Sequence, residues 1–127
     1  MSPTIVLLIT RPGVIQDGLR ALLMATRLVH SIVLADGLLP EQTIKDVHPA
    51  LMIIEDGLLK DKTHRLLQMT RTLSPESRRF VIVETVVRRQ AFNASEAEAI
   101  LLQGTPAVEL AGTIEKLLSQ TSLDDLA

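Results

Sequence analysis

Short unbroken apolar runs alternate along the chain with stretches whose apolar residues recur every three or four positions. Thr4 to Thr10 is the first run, rich in β-formers, and Arg11-Pro12-Gly13 breaks it. From Val14 to Thr26 the apolar residues Ile15, Leu19, Leu22 and Leu23 fall at helical spacing, with Gln16, Asp17 and Arg20 outside, which predicts an amphipathic helix. Val29 to Ala35 reads as a second strand closed by Asp36-Gly37, and Pro40 to Val47 as a short helix stopped by His48-Pro49. Leu51 to Glu55 shows no alternation, as expected of a strand buried on both faces, and it ends abruptly in Glu55-Asp56-Gly57.

A third helix is expected over Leu58 to Leu73, a turn at Ser74 to Ser77, and a fourth strand over Arg79 to Glu84. Thr85 to Glu98 suits a short helix through Val86, Val87, Ala91 and Phe92, interrupted at Asn93-Ala94-Ser95. Ala99 to Leu102 is the fifth strand, ended by Gln103-Gly104. Thr105 is expected to cap a last helix with Pro106 in its first turn. That helix should bury Val108, Leu110 or Ala111, Ile114, Leu117 and Leu118. From Thr121 on, the chain is polar and acidic and reads as a flexible tail.

Five strands alternating with five helices imply βαβ units and a parallel sheet covered on both faces. The pattern leaves the strand order open; a doubly wound, flavodoxin-like α/β sandwich of three layers is the natural candidate. In such sheets ligands sit outside the carboxyl ends of the strands, where the order reverses. Glu55 and Asp56 end the most apolar strand, so they are the first candidates for a site.

Composition narrows the function. The 127 residues fit one domain, and 46% of them are hydrophobic, so the chain can bury a core. No apolar run approaches the roughly 20 residues of a membrane span, and the N-terminus lacks the basic region of a signal peptide. Cysteine is absent, which removes disulfide and thiolate chemistry and suits a reducing, cytoplasmic setting. A net charge of −2 leaves no electrostatic footprint for nucleic acid. Phe80 and Phe92 are the only aromatic residues apart from histidine, too few for stacking on bases. His30, His48 and His64 fall in different elements without metal-ligand spacing. No nucleophile elbow or glycine-rich phosphate loop is present. The pairs Arg78-Arg79 and Arg88-Arg89 read as solvated faces, and Leu58-Leu59 and Val86-Val87 as core beside the strand ends.

Several motifs in order resemble the receiver domain of two-component response regulators, from about Thr4 to Leu118. Gly18 to Leu23 (GLRALL) is similar to the first-helix motif of receivers that carry a helix-turn-helix output domain. Ala35-Asp36-Gly37 resembles the turn after strand two, and His48-Pro49 the lead-in to the phosphoacceptor strand. Leu101 to Pro106 resembles the end of strand five and the start of the last helix. The resemblance implies a receiver-like domain over residues 1–120 and a flexible acidic tail over 121–127.

The same register implies that the chemical positions have changed. A working receiver has two acids after strand one that hold Mg²⁺; here they fall on Thr10 and Arg11. Its phosphoacceptor Asp falls on Glu55, with Asp56 one step on. Its Thr or Ser after strand four falls on Glu84, with Thr85 next, and its Lys after strand five falls on Gln103. Mg²⁺ prefers near-octahedral oxygen ligands, and phosphoryl transfer uses it to offset developing charge. Weak or lost Mg²⁺ binding and no other cofactor are therefore expected. Arg11 is expected to reach Glu55 or Glu84 as a metal-independent ion pair.

Glu55 can stand as a mimic of a phosphorylated Asp or as a tolerated acid at a strand end. A slip by one residue would instead make Asp56 the acceptor with Thr85 as its hydroxyl partner. The first reading of function is a pseudo-receiver, not an enzyme, that acts by protein contact with a sensor kinase, an output domain or itself. By resemblance the contact face is the fourth helix, fifth strand and last helix, including Arg88, Arg89, Glu109 and Glu115. A homodimer through the last helix and fifth strand belongs to that reading; direct contact with nucleic acid or membrane does not. The competing reading is a phosphorylatable receiver using Asp56 or Glu55. A flavodoxin-like small-ligand binder comes third, since no aromatic is available to stack on a flavin.

Overall fold

In the computed structural model of the chain, which describes residues 4–35 and 40–126 with side chains as far as Ser119, the five apolar runs pair into one parallel sheet. The strands are β1 (Ile5–Ile9), β2 (Ser31–Ala35), β3 (Leu51–Glu55), β4 (Arg78–Val83) and β5 (Ala99–Leu102). Their spatial order is β2-β1-β3-β4-β5, the flavodoxin-like order. Asp36 and Gly37, expected to close β2, lie outside the described residues.

Successive side chains of each strand point to opposite faces, so the sheet splits its apolar residues between two cores. Val6, Leu8, Leu51, Ile53, Phe80 and Ile82 pack under α1 (Val14–Met24) and α6 (Ala107–Leu126). Leu7, Ile9, Met52, Ile54, Val81 and Val83 pack under α2 (Glu41–Val47) and α4 (Thr63–Leu73). Every residue of β3 is buried, as its unbroken apolar run implies. The order reverses between β1 and β3, which leaves a crevice beyond Ile9 and Glu55.

Several local expectations differ from the structure. The helix expected over Leu58 to Leu73 begins earlier and in pieces: a single turn α3 (Asp56–Leu59), a 3₁₀ turn Lys60–Lys62, and α4. Lys60 interrupts it with a left-handed φ of 53°. Gln16 is buried, not outside, because its amide donates to the Thr10 hydroxyl at 3.2 Å. Thr105 does not cap α6. Its hydroxyl donates to the Leu102 carbonyl at 2.5 Å, and the Pro106 carbonyl receives the first helical N–H groups. Val108 is 87% exposed, while Ile114, Leu117 and Leu118 are buried as expected. The helical backbone of α6 continues to Leu126, through most of the stretch read as an acidic tail.

Arg79 is buried and grips Glu98 through Nη2 at 3.0 Å and through its own N–H at 2.9 Å, so this arginine is not part of a solvated face. Val86 and Val87, read as core, are exposed on α5 (Val86–Gln90), a helix that buries none of its own residues. Five residues are too few to define an apolar stripe, so periodicity carries no information there. Leu59 is buried, as expected.

Candidate functional site

Two adjacent acids at the end of β3 turn to different partners. Glu55 keeps the parity of Leu51 and Ile53 and is 2% exposed. Its Oε2 accepts from Arg11 Nε at 2.9 Å and Nη2 at 2.6 Å, and its Oε1 accepts from the Arg11 backbone N–H at 3.0 Å. Arg11 is placed for this because it follows β1, the neighbour of β3, where Ile9 pairs with Ile54. The same Nη2 lies 3.5 Å from Glu84 Oε1 at the end of β4. The ion pair expected of Arg11 is thus present, made with both candidate acids. These carboxylates raise the guanidinium pKa further, first through the hydrogen bond to Glu55.

Gly57 makes room for this triad. A Cβ there would stand 2.0 Å from Glu84 Oε1 and 3.2 Å from Arg11 Nη2. A bare Cα at residue 57 therefore lets the Glu84 carboxylate fold over the strand end toward Arg11.

Asp56 belongs to a second cluster. It is 3% exposed and accepts from Arg88 Nε at 2.8 Å, Arg88 Nη2 at 2.7 Å and the Thr63 hydroxyl at 2.7 Å. Burial pushes its pKa up, but the hydrogen bonds from Arg88 and Thr63 outweigh this and hold the carboxyl below its ordinary value. Arg88 also lies over the Phe92 ring, 5.3 Å from its centroid. His64 stacks on the same ring at 4.3 Å and bonds to Glu96. Arg88 is therefore committed inside the molecule, which corrects its assignment to a free surface pair.

The remaining candidates are occupied elsewhere or stand apart. Thr10 is fully buried, with its hydroxyl bonded to Gln16. The Thr85 hydroxyl accepts from the Arg88 N–H at 3.1 Å as the N-cap of α5, so it is not the partner of Asp56; Thr63 is. Gln103 is exposed and borders a groove between α1 and α6. Of the seven candidate positions, the structure gathers Arg11, Glu55 and Glu84, and sets Asp56 apart with Arg88. Sequence reasoning missed Thr63 and Arg88 as partners of Asp56, and no spacing in the chain announces them.

This donor set does not fit Mg²⁺. The oxygens of Glu55 are engaged by Arg11, whose fixed positive charge sits where a cation would need carboxylates. Among the described residues, no three His, Cys, Asp or Glu side chains are grouped so as to hold a metal. His30 accepts from the Thr4 N–H, and the His48 ring faces Ser74, so the histidines remain separate. Also among the described residues, no helix is long and apolar enough to cross a membrane.

No protein-family model matches the chain, and no curated protein matches it. Solved structures do. A response regulator receiver domain protein (CheY-like) from Methanospirillum hungatei JF-1 superposes with a TM-score of 0.81 at 15% identity, covering 97% of this chain and 99% of that one. A response regulator from Thermotoga maritima gives 0.75 at 14% identity, over 93% and 99%. A CheY-like protein (tadZ) from Pseudomonas aeruginosa PAO1 gives 0.69 at 20% identity, over 90% and 98%. At these identities the shared property is the fold: the chain has the CheY-like receiver architecture over nearly its whole length.

Proposed function

We propose that this protein is a pseudo-receiver: a signalling module of two-component type that works by protein contact and does not undergo Mg²⁺-dependent Asp phosphorylation. The observation that carries this reading is the Arg11 fork on Glu55, with Glu84 closing from the other side. Phosphoryl transfer needs metal charge to offset the charge on the moving group. Here a tethered guanidinium takes that place, and it cannot be loaded, exchanged or removed.

The same pairing argues against Glu55 as a phosphate mimic, because its carboxylate is buried and neutralised and presents no free charge. Asp56 is a poor alternative acceptor, since Arg88 and Thr63 occupy both its oxygens. In this reading the protein is not an enzyme, needs no cofactor and sits in the cytoplasm. Its partner is a sensor kinase, an output domain or a second copy. The face formed by α5, β5 and α6 offers exposed Val86, Val87 and Val108 for such contact; Arg89, Glu109 and Glu115 are exposed beside them.

Intact mass after incubation with acetyl phosphate, with and without Mg²⁺, tests the proposal. No adduct is expected under conditions that label an ordinary receiver. A Mg²⁺-dependent adduct labile to hydroxylamine would overturn it.

A further inference from the structure

From Leu58 to Leu73 the sequence carries the pattern of one continuous helix. Leu59, Thr63, Leu66, Leu67 and Thr70 recur at helical spacing and are all buried, as one stripe. The stretch holds no glycine and no proline that would stop a helix. Yet the helix is broken at Lys60, whose φ of 53° and ψ of −117° match the first central position of a type II′ turn. That position favours glycine, and a lysine in it is strained. Burial does not impose the break, since Lys60, Asp61 and Lys62 are all exposed.

A strained backbone persists only where its surroundings hold it. Here the hold comes from α5. Arg88 takes the Asp56 carboxylate through Nε at 2.8 Å and Nη2 at 2.7 Å, and the same Nη2 lies 3.4 Å from the Lys60 carbonyl. Both ends of the α3 turn are thus tied to one side chain. Thr63 completes the clamp: its N–H donates to the Lys60 carbonyl, and its hydroxyl lies 2.7 Å from Asp56 and 3.0 Å from that carbonyl. In an unbroken helix the Lys60 carbonyl would instead accept from the His64 N–H. The clamp sits on a helix with little of its own to anchor it, because α5 buries none of its residues.

We propose that residues 56–63 form a two-state joint latched by Arg88. With Arg88 on Asp56 and the Lys60 carbonyl, the helix is broken. With Arg88 withdrawn, Lys60 relaxes to a right-handed φ and residues 58–73 close into one helix. Gly57 then takes up the change of direction after β3. A partner seated on the exposed Val86 and Val87, with a carboxylate of its own to compete for Arg88, would throw the latch and reshape the surface beyond β3. The joint does not depend on whether the chain can be phosphorylated.

Backbone NMR of the whole chain tests this. In the wild type Lys60 should show the strong intraresidue HN–Hα contact of a positive φ, and the run of helical Cα shifts should break there. In Arg88→Ala that contact should weaken and helical shifts should run unbroken from Leu58 to Leu73. Adding Lys60→Gly to Arg88→Ala should restore the break, because glycine holds this φ without strain and weakens a continuous helix. Unchanged Lys60 signals in Arg88→Ala, coil-like shifts over residues 58–62, or a double variant that stays helical would each overturn the proposal. A second measurement leaves the latch intact, so it stands even where Arg88→Ala does not fold. Lys60→Gly should melt higher than Lys60→Ala, the reverse of their order inside an ordinary helix. An equal or lower melting temperature would show that Lys60 stores no strain and would overturn the proposal as well.

Discussion

Glu55 receives all three of its hydrogen bonds from one residue, Arg11: from the backbone N–H at 3.0 Å, Nε at 2.9 Å and Nη2 at 2.6 Å. The main chain fixes where the carboxylate lies, and the guanidinium cancels its charge. Because β1 and β3 are neighbours in register, the pair closes without distortion of either strand.

Replacing Arg11 therefore changes the chemistry of the crevice more than its shape. Arg11→Ala leaves a buried carboxylate with the backbone bond alone, and the urea midpoint should fall. Arg11→Asp places a third acid beside Glu55 and Glu84, a set of oxygen ligands suited to a hard cation. Calorimetric titration should show Mg²⁺ binding at least about tenfold tighter for Arg11→Asp than for the wild type. Equal affinity in the two proteins would remove the idea that Arg11 excludes the metal.

Arg88→Ala should destabilise the protein by about 1–3 kcal/mol, since it leaves the Asp56 carboxylate buried with only Thr63 as a side-chain donor. The loss is smaller than for an enclosed pair because the Arg88 side chain is 35% exposed. As α5 buries no residue of its own, its amides should exchange with solvent much faster in this variant while those of β3 and β4 change little. Uniform acceleration across the sheet would show that Arg88 acts on global stability and not on α5.

The acid side of the stability profile follows from Asp56 and Glu96. Both carboxyl groups are held below their ordinary values: burial works against this, but the bonds from Arg88 and Thr63 to Asp56, and from His64 to Glu96, prevail. Their contribution is complete above the unfolded values, 3.8 for Asp and 4.5 for Glu. It is lost as pH falls through the lower folded values. Asp56→Asn should flatten the fall in melting temperature below pH 3.8; an unchanged slope would assign it to other acids.

Gly57→Ala should push the Glu84 carboxylate away from Arg11, given the 2.0 Å that a Cβ would leave. Glu84 is the far end of a flexible, half-exposed side chain, so the cost should stay below about 1 kcal/mol. The Arg11 Nε–H resonance should persist, because its bond to Glu55 is untouched. Loss of that resonance would mean Glu84 helps to hold the fork.

The sheet was legible because it rests on unbroken apolar runs, which only a doubly covered parallel sheet accommodates. Arg11 against Glu55 was legible for the same reason, as strand register alone puts them side by side. Arg88 was not. It follows Val86-Val87 in a helix of five residues, where no period separates inside from outside, and its partner lies 32 positions earlier. Arg79 and Gln16 were misplaced by a different cause. Each is a polar residue whose burial depends on a partner, Glu98 and Thr10, that no local pattern reveals. Val108 stands at the start of α6, ahead of the turns that reach the core, so its apolar character says nothing of burial.

The divided allegiance of Glu55 and Asp56 has a consequence for a growing or broken chain. Arg11 precedes Glu55 by 44 positions, whereas Arg88 follows Asp56 by 32. During synthesis Glu55 emerges to find its counter-charge already made, and Asp56 emerges without one. A nascent chain that has just completed β3 can close one clamp, but the other waits until α5 has left the ribosome. A cut anywhere between these two acids and Arg88 would yield an N-terminal fragment carrying one satisfied acid and one stranded acid.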